Sequence, residues 1–259
     1  MRKRLLLLIL PVVFLGVSLS GQVNTEKFRH EKDKDGVEMK LGLAMAIYKG
    51  NTDLIRLDSD LNISYKKKKN YLFLVGNISY GEKNDDAYIN KGFAHLRGIR
   101  RFSKRFMAEA FAQLEFNEFI KLKRRNLLGG GIRILLIEYE KGKCGFAINS
   151  GFGLMWEKEL FDKEDGVILK EDTSVLKSTN YISLDWRIND TLTLANVTYL
   201  QFHSGTEKST RIYSDLNFNV KLSKVLSYTA ALNYRYDNNP PLNVKKYDFQ
   251  LTNGVTLTL

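Results

Sequence analysis

The chain has 259 residues, with 40 Lys and Arg against 29 Asp and Glu, a formal charge of +11. Fifteen Phe, thirteen Tyr and only three Pro point to ordered, strand-rich structure, and a single Cys excludes a disulfide scaffold or an all-Cys metal site. After residue 20 no run approaches 18 consecutive apolar residues, which excludes a helical membrane protein.

Arg2-Lys3-Arg4 precedes an apolar run from Leu5 to Leu19 that ends in small residues at Ser18 and Ser20. This is the layout of a secretory signal over residues 1–20, with a basic start, an apolar stretch of signal length and A-x-A-like spacing at its end. The alternative, an N-terminal anchor, fits less well with a short run that contains Pro11. The leader holds three basic residues and no acids, so the rest keeps 37 basic residues against 29 acidic ones. Bases and acids are interleaved and no recognition motif appears, so nucleic acid is not an expected partner. Residues 21–36 are polar and aperiodic and read as a flexible arm.

From Val37 to Leu259 the chain alternates with period two. Val37, Met39, Leu41, Leu43, Met45 and Ile47 share one parity; Phe106, Ala108, Ala110, Ala112 and Leu114 alternate with Glu109, Gln113 and Glu115. The pattern predicts about twelve strands, near 37–48, 53–65, 70–81, 87–102, 106–119, 125–137, 143–156, 174–188, 191–203, 210–222, 225–237 and 245–259. In 191–203 both parities carry apolar residues, and a bulge there would switch faces. Many segments exceed the ~9–11 residues that a tilted strand needs to cross a bilayer. With both ends on the periplasmic side, the outward connections (49–52, 82–86, 120–124, 157–173, 204–209, 238–244) are generally longer than the inward ones. Pro240-Pro241 falls in an outward connection and aromatics gather near strand ends. Together these predict an all-β, antiparallel transmembrane β-barrel of about twelve strands over residues 37–259 in a bacterial outer membrane.

The segment Phe102 to Phe119, followed by Arg124-Arg125 and Leu128-Gly129-Gly130-Gly131-Ile132, resembles domain-of-unknown-function family 481, which includes proteins described as salt-induced outer-membrane proteins. The Gly50-Asn51-Thr52 turn and Tyr80-Gly81 before an acidic loop are similar to that family as well. The resemblance spans roughly 37–259, is most specific over 102–132, and implies an exported β-barrel with no established reaction or catalytic residues to carry over.

The inward parity gathers charge. Lys91, His95 and Arg97 fall on one strand, Glu109, Gln113, Glu115 and Asn117 on the next, and Arg125 and Arg133 on the third. With a three-residue turn at 103–105, Phe102 pairs with Phe106 and Arg97 sits opposite Phe111; with Phe119 facing Arg125, Arg133 flanks Phe111 too. The expected lumen network is Arg97–Glu109–Arg133, with Lys91, His95 and Glu115 nearby, and a structural role is favoured over selection of charged solutes, since buried charges need partners.

Other features have ordinary readings beside sharper ones. Lys66 to Lys69 is a solvated turn or a contact with anionic lipid headgroups. Gly129 to Gly131 permits close packing and lacks the sequence of a phosphate loop. The acidic stretch Glu157 to Asp172 is a solvated loop or a divalent bridge to lipopolysaccharide. Cys144 is a small hydrophobe on a strand. His30, His95 and His203 have no metal-ligand spacing, and His203-Ser204 neighbours point to opposite strand faces, against a nucleophile–base pair. No catalytic, metal or cofactor-binding residue is expected. The expected partners are outer-membrane lipid, lipopolysaccharide and small solutes. The function expected is a passive pore or a plugged envelope barrel; the alternatives are a lipid-acting barrel enzyme and a soluble exported binding protein, the last requiring apolar residues inside.

Overall fold

A computed structural model describes residues 35–50, 53–84, 86–164, 167–168, 170–203, 205 and 209–257. The expected leader, nearly all of the expected arm, Asn51-Thr52, His30, Ser204 and Leu259 lie outside the described residues.

The strands run β1 (Gly36–Tyr48), β2 (Leu54–Lys67), β3 (Asn70–Lys83), β4 (Asp86–Arg101), β5 (Phe106–Asn117), β6 (Leu122–Lys141), β7 (Cys144–Phe161), β8 (Lys163–Glu164), β9 (Val167–Ile168), β10 (Thr173–Arg187), β11 (Leu192–His203), β12 (Ser209–Lys221), β13 (Leu226–Asp237) and β14 (Tyr247–Leu257). Twelve of them form one antiparallel sheet in chain order, and β8 and β9 form a small hairpin in the connection after β7. Strands this long and this regular follow from unbroken alternation, because each keeps its apolar residues on one face.

Local chemistry sets the tight turns. Ser103, Asn189 and Ser223 occupy equivalent places after β4, β10 and β12. Each side-chain oxygen accepts from two backbone N–H groups just ahead: Arg105 and Phe106, Thr191 and Leu192, Val225 and Leu226. The lysine turn keeps Lys68 at φ 55°, and its N–H donates to Asp35 Oδ1 at 2.8 Å.

The sheet rolls up, so strands far apart in the sheet meet through their side chains. Tyr181 on β10 reaches Glu109 on β5, and Arg211 on β12 reaches Glu157 on β7. Electrostatic interaction between Lys91 on β4 and Arg235 on β13 spans the interior. β1 and β14 are the two ends of the sheet, and no ladder joins them among the described residues.

The packing is inside out. Buried residues include Arg56, Lys91, His95, Arg97, Glu109, Glu115 and Arg125, while Leu128, Ile132, Phe152, Leu154, Leu176 and Ile182 are exposed. Apolar filling of the interior is confined to patches such as Tyr71, Phe73, Val75, Ile99 and Met107, and Tyr181, Val197, Tyr199 and Tyr213.

Three boundaries differ from expectation. β6 continues about four residues beyond its expected inner end and β7 about five beyond its expected outer end, and the two are joined by a turn at Gly142-Lys143 (Gly142 φ 58°). A bulge between Leu135 and Ile137 flips the parity of the end of β6, which hides the strand from a strict alternation count. β5 stops at Asn117, whose Oδ1 accepts from Phe119 N–H to start a 3-10 turn over Glu118–Ile120. β11 has no register shift in either ladder. Its ambiguity arises because Asn196 and Thr198 face outward, where they hydrogen-bond with Ser214 at 3.3 and 2.9 Å.

Candidate functional site

Arg97 pairs with Phe111, as expected from the turn at 103–105, and Phe102 N–H donates to Phe106 O. The next pairing differs. A register shift between Glu115 and Asn117, together with the 3-10 turn, puts Arg125 opposite Glu115 where Phe119 was expected, and Arg133 opposite Met107. Arg133 stays diagonal to Glu109, which faces Gly131.

The structure brings Arg97, Glu109 and Arg133 together, with Tyr181 standing between the last two. Arg97 Nη1 lies 3.3 Å from Glu109 Oε2. Tyr181 O–H donates to Glu109 Oε2 at 3.2 Å, and Arg133 Nη1 donates to the Tyr181 oxygen at 3.3 Å. Arg133 also donates to Ser183 Oγ, and its guanidinium lies 5.7 Å from the centre of the Tyr181 ring. Glycine makes this possible. Arg133, Gly151 and Tyr181 fall in one cross-strand row, and a Cβ on Gly151 would sit 2.0 Å from the Tyr181 ring. Gly131 is held in the same way, by Phe152 O at 2.2 Å from any added Cβ, so this glycine run serves close packing.

His95 extends the chain. Arg97 Nε donates to His95 Nε2 at 3.3 Å, so the ring proton sits on Nδ1 and donates to Gln113 Oε1 at 3.0 Å. The amide of Gln113 then donates to Glu115 Oε2 at 3.0 Å, where a second network begins.

That second network was largely missed by sequence reasoning. Arg125 Nη1 contacts Glu115 at 3.1 Å, and its Nε donates to Glu159 at 2.7 Å. Arg211 reaches Glu157 at 2.9 Å, Glu159 at 3.0 Å and Asp237 at 2.7 Å, and Lys177 pairs with Glu157. Glu157 and Glu159 are 0% and 1% exposed, which corrects the reading of this stretch as solvated loop. The signal that marks them is parity: Met155, Glu157, Glu159 and Phe161 are all buried on one face of β7. Glu115, Arg125 and Glu159 lie directly opposite one another across three strands, alternating in sign.

Lys91 is buried apart from this chain, on the row between Ser79 and Asn117, within the field of Arg56, Asp58 and Arg235. His203 Nδ1 lies 2.8 Å from Leu176 O. Cys144 is a free, half-buried thiol at the start of β7. Among the described residues, no group of three or more His, Cys, Asp or Glu side chains is arranged to hold a metal ion.

At the end of the sheet that carries the long connections, a small cavity of about 50 Å³ opens beside the Arg211 network. Lys170 donates to Asn239 O at 2.6 Å and stands 4.9 Å from the centre of the Phe161 ring. Burial pushes the Lys170 ammonium below the ordinary lysine range, with the nearby arginines adding to the effect against Glu159 and Asp237.

Residues 41–258 match the model of a family described as a protein of unknown function, DUF481. A solved structure described as the NanC porin in a rhombohedral crystal form is similar at 10% identity and a TM-score of 0.45. The match covers 85% of this chain and 99% of that one. No curated protein matches.

Proposed function

The chain belongs to the DUF481 family of proteins of unknown function, and from its inside-out wall we propose that it is an exported outer-membrane β-barrel with a narrow, water-filled passage for small solutes. The observation that carries the membrane reading is the exposed apolar face. Leu72, Leu96, Leu114, Leu128, Phe152, Leu176, Leu200 and Leu251 run round the outside of the rolled sheet, far more contiguous apolar surface than a soluble monomer shows. Exposed aromatics stand toward both ends, with Tyr65, Phe102, Phe106, Tyr139 and Trp186 at one and Tyr48, Trp156, Phe202 and Tyr247 at the other, where interfacial rings prefer to sit. A soluble exported binding protein needs the opposite arrangement.

The passage is read from unequal filling. Inward side chains of β4 to β7 and of β10 to β12 pack against one another in the two networks. Inward positions near the ends of the sheet are small or polar: Lys40, Gly42 and Ala44 on β1 are exposed, and Thr229, Ala231 and Asn233 on β13 and Gln250, Thr252 and Gly254 on β14 are half-buried. One side of the interior is a rigid wall and the other is a wetted wall. No catalytic step belongs to this reading.

The second network supports a competing reading, a sealed structural barrel, because its members are almost fully buried. Single-channel recording of the refolded chain lacking residues 1–20 in a planar bilayer separates the two. Reproducible current steps are expected; membrane insertion with no current would overturn the passage and favour the sealed barrel.

A further inference from the structure

The cavity beside the Arg211 network is lined by six cationic side chains and two acidic ones. Arg125 and Arg211 are matched by Glu115, Glu157, Glu159 and Asp237, and Arg235 lies directly opposite Asp248 across the β13–β14 ladder. Three lining lysines make no direct ion pair. Lys170, Lys245 and Lys246 have no carboxylate within ion-pair distance among the described residues. Lys245 and Lys246 are exposed at the mouth, whereas Lys170 is half-buried among the cavity walls. Lys170 is partly withdrawn from water, and its burial outweighs the attraction of Glu159 and Asp237 in depressing its ammonium.

The remaining wall is apolar. Phe161, Tyr236, Pro240 and Pro241 line the same cavity. Apolar walls with a few convergent charges at a half-open cleft are the lining of a small-molecule site. Both prolines are held in place, because Lys170 donates to the carbonyl of the preceding Asn239 and Asn239 N–H donates to Asp237 Oδ1.

We propose that this cavity, with Lys170 in its wall and Lys245 and Lys246 at its mouth, binds an organic anion whose carboxylate or phosphate meets the lysines and whose apolar body lies against Phe161, Tyr236 and the paired prolines. The anion comes from a free solute or from a lipid phosphate at the membrane surface. Binding does not depend on whether the barrel conducts.

The test is calorimetric titration of the refolded chain in neutral-detergent micelles, with benzoate as the soluble probe and benzylammonium as a ring of the same size and opposite charge. Benzoate is expected to bind saturably at one site and benzylammonium not to bind. Lys170→Gln combined with Lys246→Gln is expected to weaken benzoate by about tenfold, in line with the loss of two modest charge contacts, and Lys170→Arg to retain it. Diphosphoryl lipid A added to the micelles distinguishes the sources: displacement of benzoate assigns the site to lipid phosphate, and undisturbed binding assigns it to a solute. Equal binding of both probes, or benzoate binding by the double variant within twofold of the parent at an unchanged β circular-dichroism spectrum, would overturn the proposal.

Discussion

Replacing Arg211 by Met tests whether the second network holds the rolled sheet together. Arg211 is 1% exposed and contacts three carboxylates, two on β7 and one on β13, at 2.7 to 3.0 Å. Each pair is worth about 4 kcal/mol of gross attraction at an effective dielectric of ~20 and a charge separation of ~4 Å, and desolvation offsets most of that. What remains on deletion is the penalty of leaving Glu157, Glu159 and Asp237 short of a partner, about 3–5 kcal/mol when one member of a buried pair is removed. Arg125 and Lys177 still touch Glu159 and Glu157, which places the expected loss at the lower end. Urea unfolding in micelles, followed by the gel shift between folded and unfolded barrel, measures it. In a Glu159→Gln background the same replacement is expected to cost less, because one of the stranded charges is gone, and the difference between backgrounds is the coupling. A loss of under ~1 kcal/mol in the parent, or no coupling with Glu159, would refute the assignment of Arg211 as the tie between β7 and β13.

Gly151→Ala is expected to destabilise by about 1–3 kcal/mol, the usual cost of an overpacked site, by pushing the Tyr181 ring off Glu109; Gly98→Ala, whose added Cβ meets only Leu72 at 3.6 Å, is the control in the same unfolding assay. Tyr181→Phe leaves the ring but removes the hydroxyl between Glu109 and Arg133, and is expected to cost about 1–3 kcal/mol, against none if that hydroxyl were solvated. Asp53, at the first outward connection, is bound by Lys49 at 2.9 Å and by Gly50 N–H, which hold its carboxyl below 3.8. A depressed carboxylate stabilises the folded connection above its unfolded pKa and loses that contribution as pH falls through the folded one. Carbon-13 titration should therefore find a midpoint below 3.8 that returns to the ordinary range in Lys49→Ala. Finally, unpaired backbone at β1 and β14 is untenable in hydrocarbon, so the two strands are expected to pair in a membrane. In a Cys144→Ser background, Ala44→Cys should form a disulfide with one of Gln250→Cys, Thr252→Cys or Gly254→Cys, all inward positions, and failure of every pair would rule out closure at this seam.

Parity along the strands was the legible part of this sequence. It identifies all twelve strands of the large sheet, and it places Arg97, Glu109 and Arg133 on the face where the structure has them. What parity cannot supply is the register around an irregularity. The 3-10 turn after Asn117 and the shift beside Glu115 move Arg125 opposite Glu115, and nothing in a period-two count marks either. Contacts between strands distant in sequence are hidden for a different reason. Tyr181 lies 72 residues from Glu109, and Arg211 lies 54 from Glu157; only the curvature of the rolled sheet brings them together. Glu157 and Glu159 were obscured by composition, because carboxylates beside a loop rich in charge resemble the loop until the buried Met155 and Phe161 on the same parity are weighed with them.

The placement of the ion networks bears on how this chain specifies a single register. A one-residue slip in β5, β6 or β7 would turn Glu115, Arg125 and Glu159 toward the apolar outside and bring Leu114, Leu128 and Phe152 in. In a bilayer that exchange is prohibitive, so the buried charges act against misregistered pairings even where they add little net stability. β1 and β14 carry fewer such charges, Glu38 and Lys40 on β1 and Asp248 opposite Arg235 on β14. The inward side of β1 alternates Lys40, Gly42, Ala44 and Ala46, and that of β14 carries Gln250, Thr252 and Gly254, residues that tolerate a shift far better than a buried carboxylate does. The strands with the weakest register information are those at the two ends of the sheet, where the inward residues are mostly small or polar. Tight specification on one side and a sparsely filled wall on the other are two consequences of a single unequal distribution of inward charge.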